Sequence, residues 1–200
     1  MNKIITIGRE FGSGGREFGR RLSEQLGFAY YDQEIISEIS KRTSLSEQYV
    51  QAIVEHRPSF SFPIHIGQSF YALGNPAFEQ TMTVYQEQAR IIKELAAESN
   101  CVIVGRCADH ILKEYKPFRI FVYADMESKM KRCREKGPEE ETLSDKELRQ
   151  KISGIDKKRA KYYEFYTGHP WGDKLNFDLC LNTTQIVVKE MVPVIAKLFC

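Results

Sequence analysis

Gly12-Ser13-Gly14-Gly15-Arg16 follows a short β-branched run and opens an amphipathic stretch. These residue types suit the holding of an anion. Glycines let the backbone curl close to a phosphate. Amides in the first turn of a helix lack internal acceptors, and the helix dipole favours negative charge beside them. The familiar phosphate loop adds a lysine and then a serine or threonine. Gly15 and Arg16 stand in those two places here. Arg9, Arg16, Arg20 and Arg21 crowd the loop, and Arg16, beside Gly15, is the expected replacement for the lysine. Its forked guanidinium can hold two phosphate oxygens. The alternative reading of the same residues is a glycine-rich turn with a purely structural role.

Phosphoryl transfer needs positioning and positive charge more than covalent help. Arginines from several elements must therefore converge, with movable pieces to bring them in and exclude water. Arg106 follows the apolar run "CVIVG", where a ligand is expected at a strand end. Arg159 lies in a long charged stretch, and Arg132 and Arg134 lie in another, where a solvated face is the plainer role. Asp32 either orients an acceptor or a magnesium-bound water, or caps the helix expected from Gln33. Magnesium is expected to arrive with a nucleotide, held partly by its phosphates. No residue is assigned as a metal ligand, and His56, His65, His110 and His169 show no metal spacing.

Elements that would position these groups are visible in the periodicity. Lys3–Ile7 reads as a buried strand and Arg16–Leu26 as a helix, with Phe18, Leu22 and Leu26 on one face and Gly27 as its stop. A brief strand, Phe28–Tyr31, precedes Asp32. Helices are expected over Gln33–Lys41, Ser46–Glu55, Phe78–Glu98 and Met126–Lys136, and a long one from Ser144 towards Tyr166. Cys101–Gly105, Phe118–Ala124 and Phe177–Thr183 read as strands, and Thr184–Phe199 as a closing helix with Pro193 as a kink or break. This order predicts an α/β chain with a mostly parallel sheet and helices on both faces. Ligands are then expected at the carboxyl ends of the strands. Residues 56–74, rich in aromatics, proline and glycine, read as a flap over a ligand or as a small aromatic core. Tyr162, Tyr163, Tyr166 and Trp171 either stack on a base or anchor the last strand.

The balance of 29 Lys plus Arg against 27 Asp plus Glu, net +2, argues against a nucleic-acid coat but leaves room for a local basic pocket. Cys101, Cys107, Cys133, Cys180 and Cys200 form no CxxC and read as free thiols in a reducing compartment. No apolar run is long enough for a signal peptide or a membrane span. A cytoplasmic protein is the expectation, and a homodimer is expected by base rate alone.

"IITIGREFGSGGREFGRRLSEQLGFAYYDQEII", "VIVGRCADHILKEYKPFRIFVYADMESKMKRC" and "KKRAKYYEFYTGHPWGDKLNFDLCLNTT" resemble blocks of the cytidylate kinase-like family, and the likeness runs over essentially the whole chain. The resemblance implies a P-loop NTPase-type three-layer sandwich. It implies one domain over residues 1–200, with a helical, monophosphate-binding insertion about 42–80 and a lid segment about 135–160. It implies a nucleoside monophosphate kinase-like phosphotransferase, using ATP with nucleotide-borne Mg2+ and an acceptor such as CMP or dCMP. A small-molecule kinase and a non-catalytic nucleotide- or phosphate-binding protein are the alternatives. Gly12, Ser13 and Gly14 match the family's loop, Gly15 stands at its lysine, and Arg16 and Glu17 follow. Asp32 matches the acidic residue near the monophosphate pocket, and Gly105-Arg106 a contact to the acceptor phosphate. Cys107 occupies a position where the family has Asp. Arg132 and Arg159 fall near lid arginines. The expected catalytic set is Arg16, Arg106 and Arg159, with Asp32 on the acceptor side. The expected partners are nucleotides or small phosphorylated metabolites.

Overall fold

A computed structural model describes residues 2–55, 76–136 and 143–199. Residues 56–75, within the expected flap, and residues 137–142, within the expected lid, lie outside the described residues. Among the described residues five strands form one sheet: β1 (Ile4–Arg9), β2 (Ala29–Tyr31), β3 (Cys101–Val104), β4 (Phe118–Tyr123) and β5 (Leu179–Asn182). The order is β2-β3-β1-β4-β5, and every pairing is parallel. The helices are α1 (Gly15–Leu26), α2 (Glu34–Thr43), α3 (Glu47–Glu55), α4 (Pro76–Glu98), α5 (Ala108–Ile111), α6 (Met126–Lys136), α7 (Asp145–Thr167) and α8 (Val188–Ala196).

Strand alternation divides the core. Ile5, Ile7, Val102, Val104, Ile120 and Val122 face Phe18 and Leu22 of α1 and Val188, Met191 and Val192 of α8. Ile4, Cys101 and Ile103 face the other way, onto Ile35, Ile36 and Ile39 of α2, Val50 and Val54 of α3, and Ile91 and Ile92 of α4. Side chains on both faces are thus buried, as a parallel sheet between two helical layers requires. Burying Phe18 and Leu22, both fully enclosed, stabilises α1 by about 1.5–3 kcal/mol each. This places the start of α1, with its glycine loop, at the carboxyl end of the central strand.

Sequence signals fix the helix ends. Gly27 ends α1 at φ 65°, and the Phe28 amide donates to Ser23 O at 2.9 Å. Ser144 opens α7 in a reciprocal cap: its backbone amide donates to Glu147 Oε2 at 2.9 Å, and the Glu147 amide donates to its hydroxyl at 3.3 Å. The closing helix starts four residues later than expected. Asn182 Oδ1 accepts both the Thr184 amide, at 3.0 Å, and its hydroxyl, at 2.7 Å, and so holds a turn there. Pro193 lies inside α8 without ending it. The short α5 escaped periodicity because four residues show no repeat. Cys101, Cys107, Cys133 and Cys180 are free thiols. Among the described residues no helix is long and apolar enough to cross a membrane.

Candidate functional site

The chemistry-bearing residues gather at the carboxyl ends of β1, β2 and β3. Gly14, at φ 82°, is the N-cap of α1, and a Cβ there would lie 2.9 Å from Val188 Cγ2. Only glycine satisfies both the backbone and the space. Ser13 is buried and braces the loop: its hydroxyl donates to Glu10 O at 2.8 Å and accepts the Gly15 amide at 3.3 Å. Thr183, beyond β5, donates its hydroxyl to Ser13 O at 2.7 Å. The amides of Gly14, Arg16 and Glu17 meet no acceptor among the described residues. They open on a cavity of about 970 Å³, lined by Arg9, Gly12, Gly14, Gly15, Arg16, Glu17, Asp32 and Arg159 among others. Unpaired amides at a helix start, beside arginines, suit an anion.

Asp32 is buried and turned towards the arginines. Arg16 Nε lies 2.5 Å from its Oδ2, and Arg9 Nη2 lies 3.9 Å from its Oδ1. The N-cap of α2 is Gln33, without a side-chain cap. Arg16, over half exposed, stands at the cavity mouth, whereas Arg9 is nearly enclosed. Burial first, then the charges of Arg159, Arg106 and Arg16, push the Arg9 guanidinium down to about 9, with Asp32 opposing. It is still a cation at neutral pH. The cavity lining carries Arg9, Arg16, Arg20, Arg21, Lys136 and Arg159 against Glu10, Glu17, Asp32 and Glu34, an excess of positive charge that an anion would relieve.

Arg106 occupies an unusual turn. Gly105, Arg106 and Cys107 run at φ 74°, 60° and 54°, three successive left-handed residues. Such backbone costs about 1–2 kcal/mol at each non-glycine position. Gln88 of α4, fully buried, helps hold the turn by donating from Nε2 to Arg106 O at 3.0 Å. Arg106 lines a second, small cavity of about 50 Å³ with Arg9, Asp109, Arg159, Tyr162 and Trp171. Burial lifts the Cys107 thiol well above its ordinary value. It also raises the Asp109 carboxyl, against the hydrogen bond that Tyr163 donates at 2.6 Å.

Arg159 on α7 reaches across to donate to Arg9 O at 3.3 Å, and its guanidinium lies 5.7 Å from the Phe11 ring centre. It borders both cavities. Arg132 on α6 lies elsewhere, along a groove of about 440 Å³ shared with Glu17, Thr184, Val187 and Val188. It donates to Thr183 O, while its Nη1 is buried without a hydrogen-bond partner among the described residues. Glu17 joins the groove to the loop cavity. Its carboxyl lies below the ordinary range: burial opposes this, but hydrogen bonds from Lys136 and Arg21 outweigh it. The loop cavity thus brings together Arg16, Asp32 and Arg159. Arg106 adjoins through the small cavity and Arg132 through the groove. Tyr162 and Tyr163 are buried in the core, and Tyr166 stacks on Tyr85 at 3.8 Å.

The sequence gives no prominence to three parts of this site. Lys129 of α6, buried, lies 3.0 Å from both Glu10 Oε2 and Asp156 Oδ2. Asp156 also accepts the Phe11 amide, at 2.7 Å. The carbonyl-bracing role of Gln88 and the central place of Arg9 are equally a product of the fold.

A model of the cytidylate kinase-like family matches residues 4–185. The chain belongs to the cytidylate kinase-like family. Among solved structures, an uncharacterized protein from Eubacterium ventriosum is similar to it at 26% identity, with 98% of each chain covered and a TM-score of 0.70. Shikimate kinase from Bacteroides thetaiotaomicron shares 14% identity at a TM-score of 0.57, covering 98% of each chain. Shikimate kinase from Acinetobacter baumannii, in complex with shikimate, shares 17% at 0.54, covering all of this chain and 93% of that one. No curated protein matches. The all-parallel sheet of order 2-3-1-4-5 in this cytidylate kinase-like chain is that of the P-loop kinase fold.

Proposed function

We propose that this protein is an ATP-dependent phosphotransferase that moves the γ-phosphoryl group to a nucleoside monophosphate such as CMP or dCMP. The observation that carries the reading is the loop cavity: unpaired amides at Gly14, Arg16 and Glu17 face a wall of arginines at the carboxyl ends of the strands. The amides and Arg16 would take the ATP phosphates. The groove beside Arg132 would take the rest of the nucleotide. Magnesium, carried by the nucleotide, would offset phosphate charge. Arg106, Arg159 and Asp32 would hold and orient the acceptor. Charge stabilisation of this kind, with water excluded, supplies most of what the reaction needs. Residues 1–200 would act as one kinase-like domain, with the flap about 42–80 and the lid about 135–160 closing over the two substrates.

A second reading is a smaller, non-nucleotide acceptor. The fold shared with shikimate kinases supports it. One experiment tests both. Purified protein with ATP and magnesium is offered CMP, dCMP, UMP, AMP and shikimate, and ADP release is followed. Release that depends on one of the nucleotides supports the first reading, and release that depends on shikimate supports the second. ATP binding without acceptor-dependent release in any arm points to a non-catalytic nucleotide-binding protein.

A further inference from the structure

A standard phosphate loop reads G-x-x-x-x-G-K-[ST]. With its second glycine on Gly14, its first glycine falls on Arg9 and its lysine on Gly15. Glycine and cation have changed places. The geometry shows why the two changes go together. A Cβ on Gly15 would lie 2.5 Å from Arg9 Cβ and 3.1 Å from Arg9 Cγ, with Val122 Cβ at 3.2 Å on the other side. These are atoms near the backbone, which cannot swing away. Only one of positions 9 and 15 can therefore carry a side chain in this loop.

We propose that Arg9 supplies, from the end of β1, the charge that the absent lysine would have supplied from the start of α1, and that Gly15 is the space its stem requires. The idea rests on the phosphate-site reading of the loop cavity. Arg9 lines that cavity beside Gly14 and Gly15 and also lines the small cavity beside Arg106, so it stands where the two meet. Its packing fixes it there: a Cβ on Gly105 would collide with its guanidinium. Among the described residues its one carboxylate partner is Asp32, at 3.9 Å, and Asp32 lies closer to Arg16, at 2.5 Å. The groups facing the guanidinium are Arg16 from α1, Asp32 after β2, Arg106 after β3 and Arg159 from α7. Arg16, more exposed and bound to Asp32, is left to guard the mouth of the cavity.

The test is a swap read without reliance on turnover. Full-length Arg9→Met, Gly15→Lys and the double variant Arg9→Gly/Gly15→Lys are compared with the parent. Thermal unfolding and calorimetric binding of inorganic tripolyphosphate and of ATP are measured. Arg9→Met keeps the volume and is expected to fold but to lose at least tenfold in affinity for tripolyphosphate. Gly15→Lys alone is expected to lower the melting temperature and weaken binding. The double variant is expected to regain both, binding within about threefold of the parent, because glycine at 9 removes both Arg9 contacts and leaves only Val122 Cβ, at 3.2 Å, to give slightly. Parent-like tripolyphosphate affinity in Arg9→Met overturns the proposal. So does a Gly15→Lys variant as stable and tight as the parent, or a double variant no better than its worse single. A parent that binds tripolyphosphate through Arg9 yet releases no ADP with any acceptor removes the enzymatic reading and leaves this one standing. A parent that binds tripolyphosphate no better than Arg9→Met removes this one whatever its turnover.

Discussion

Asp156 on α7 accepts the Phe11 amide of the phosphate loop at 2.7 Å while its other oxygen holds Lys129 Nζ at 3.0 Å. One carboxylate thus joins α7, the loop and α6. Lys129 is almost wholly enclosed, and its ammonium is held above its ordinary value although burial opposes this. Asp156→Ala would leave a buried cation with Glu10 alone and orphan the Phe11 amide. The expected loss is about 2–3 kcal/mol. Asp156→Asn keeps an acceptor for Phe11 and should lose less. Urea unfolding of both variants measures the difference.

Gln88 is the brace of the left-handed turn at Arg106. Its Nε2 donates to Arg106 O at 3.0 Å and to the Tyr162 hydroxyl at 3.2 Å. Gln88→Leu fills the space but strips a buried carbonyl of its donor. A cost of about 1–3 kcal/mol is expected. Because the same change loosens Arg106, acceptor KM should rise more than ATP KM. Steady-state kinetics with each substrate varied in turn would show the asymmetry, and an equal rise in both would refute the positioning role.

Arg16 and Arg159 make a contrasting pair. Arg16 is solvent-facing and bound to Asp32, and its removal is expected to weaken ATP binding or turnover at least tenfold, about 1.4 kcal/mol. Arg159 borders both cavities, so Arg159→Ala should depress kcat more than Arg16→Ala does. Unchanged kinetic parameters in Arg16→Ala would exclude it from the site.

Much of this architecture is legible in the residues themselves. β-branched runs mark β1 and β3 because both faces of a parallel sheet are covered, and Ser144 with Glu147 announces the start of α7. Glycines 12, 14 and 15 mark the loop because the backbone is left-handed at Gly12 and Gly14 and a Cβ at any of the three would meet a neighbour within 3 Å. Which arginine lies innermost is not legible. Four arginines flank the loop, and nearness in sequence favours Arg16, but the extended end of β1 carries Arg9 inward while the first turn of α1 carries Arg16 towards the mouth. Lys129 and Asp156 lie 27 residues apart and pair only because α6 packs on α7. Nothing local in either helix marks them.

Arg119 and Asp178 bind β4 to the approach of β5 through paired guanidinium contacts at 3.2 and 2.8 Å. Those hydrogen bonds hold the Asp178 carboxyl below the ordinary value of 3.8. The unfolded chain therefore takes up this proton before the folded one as pH falls. The contribution is whole above the unfolded value and disappears as pH drops through the folded one. Both side chains are about a third exposed, so the pair is worth at most about 1 kcal/mol. The stability gap between the parent and Asp178→Asn should be present near neutral pH and should close in acid, as thermal unfolding across that range would record.

The outermost strands of the sheet are short: β2 has three residues and β5 has four. An unpaired strand margin is a template on which a stray chain can extend the sheet and seed aggregates. Margins this brief offer such a chain only a few backbone groups before the direction changes. Heating should therefore expose this protein to clumping chiefly through loss of its helical layers, with strand-to-strand addition playing little part while the sheet remains intact.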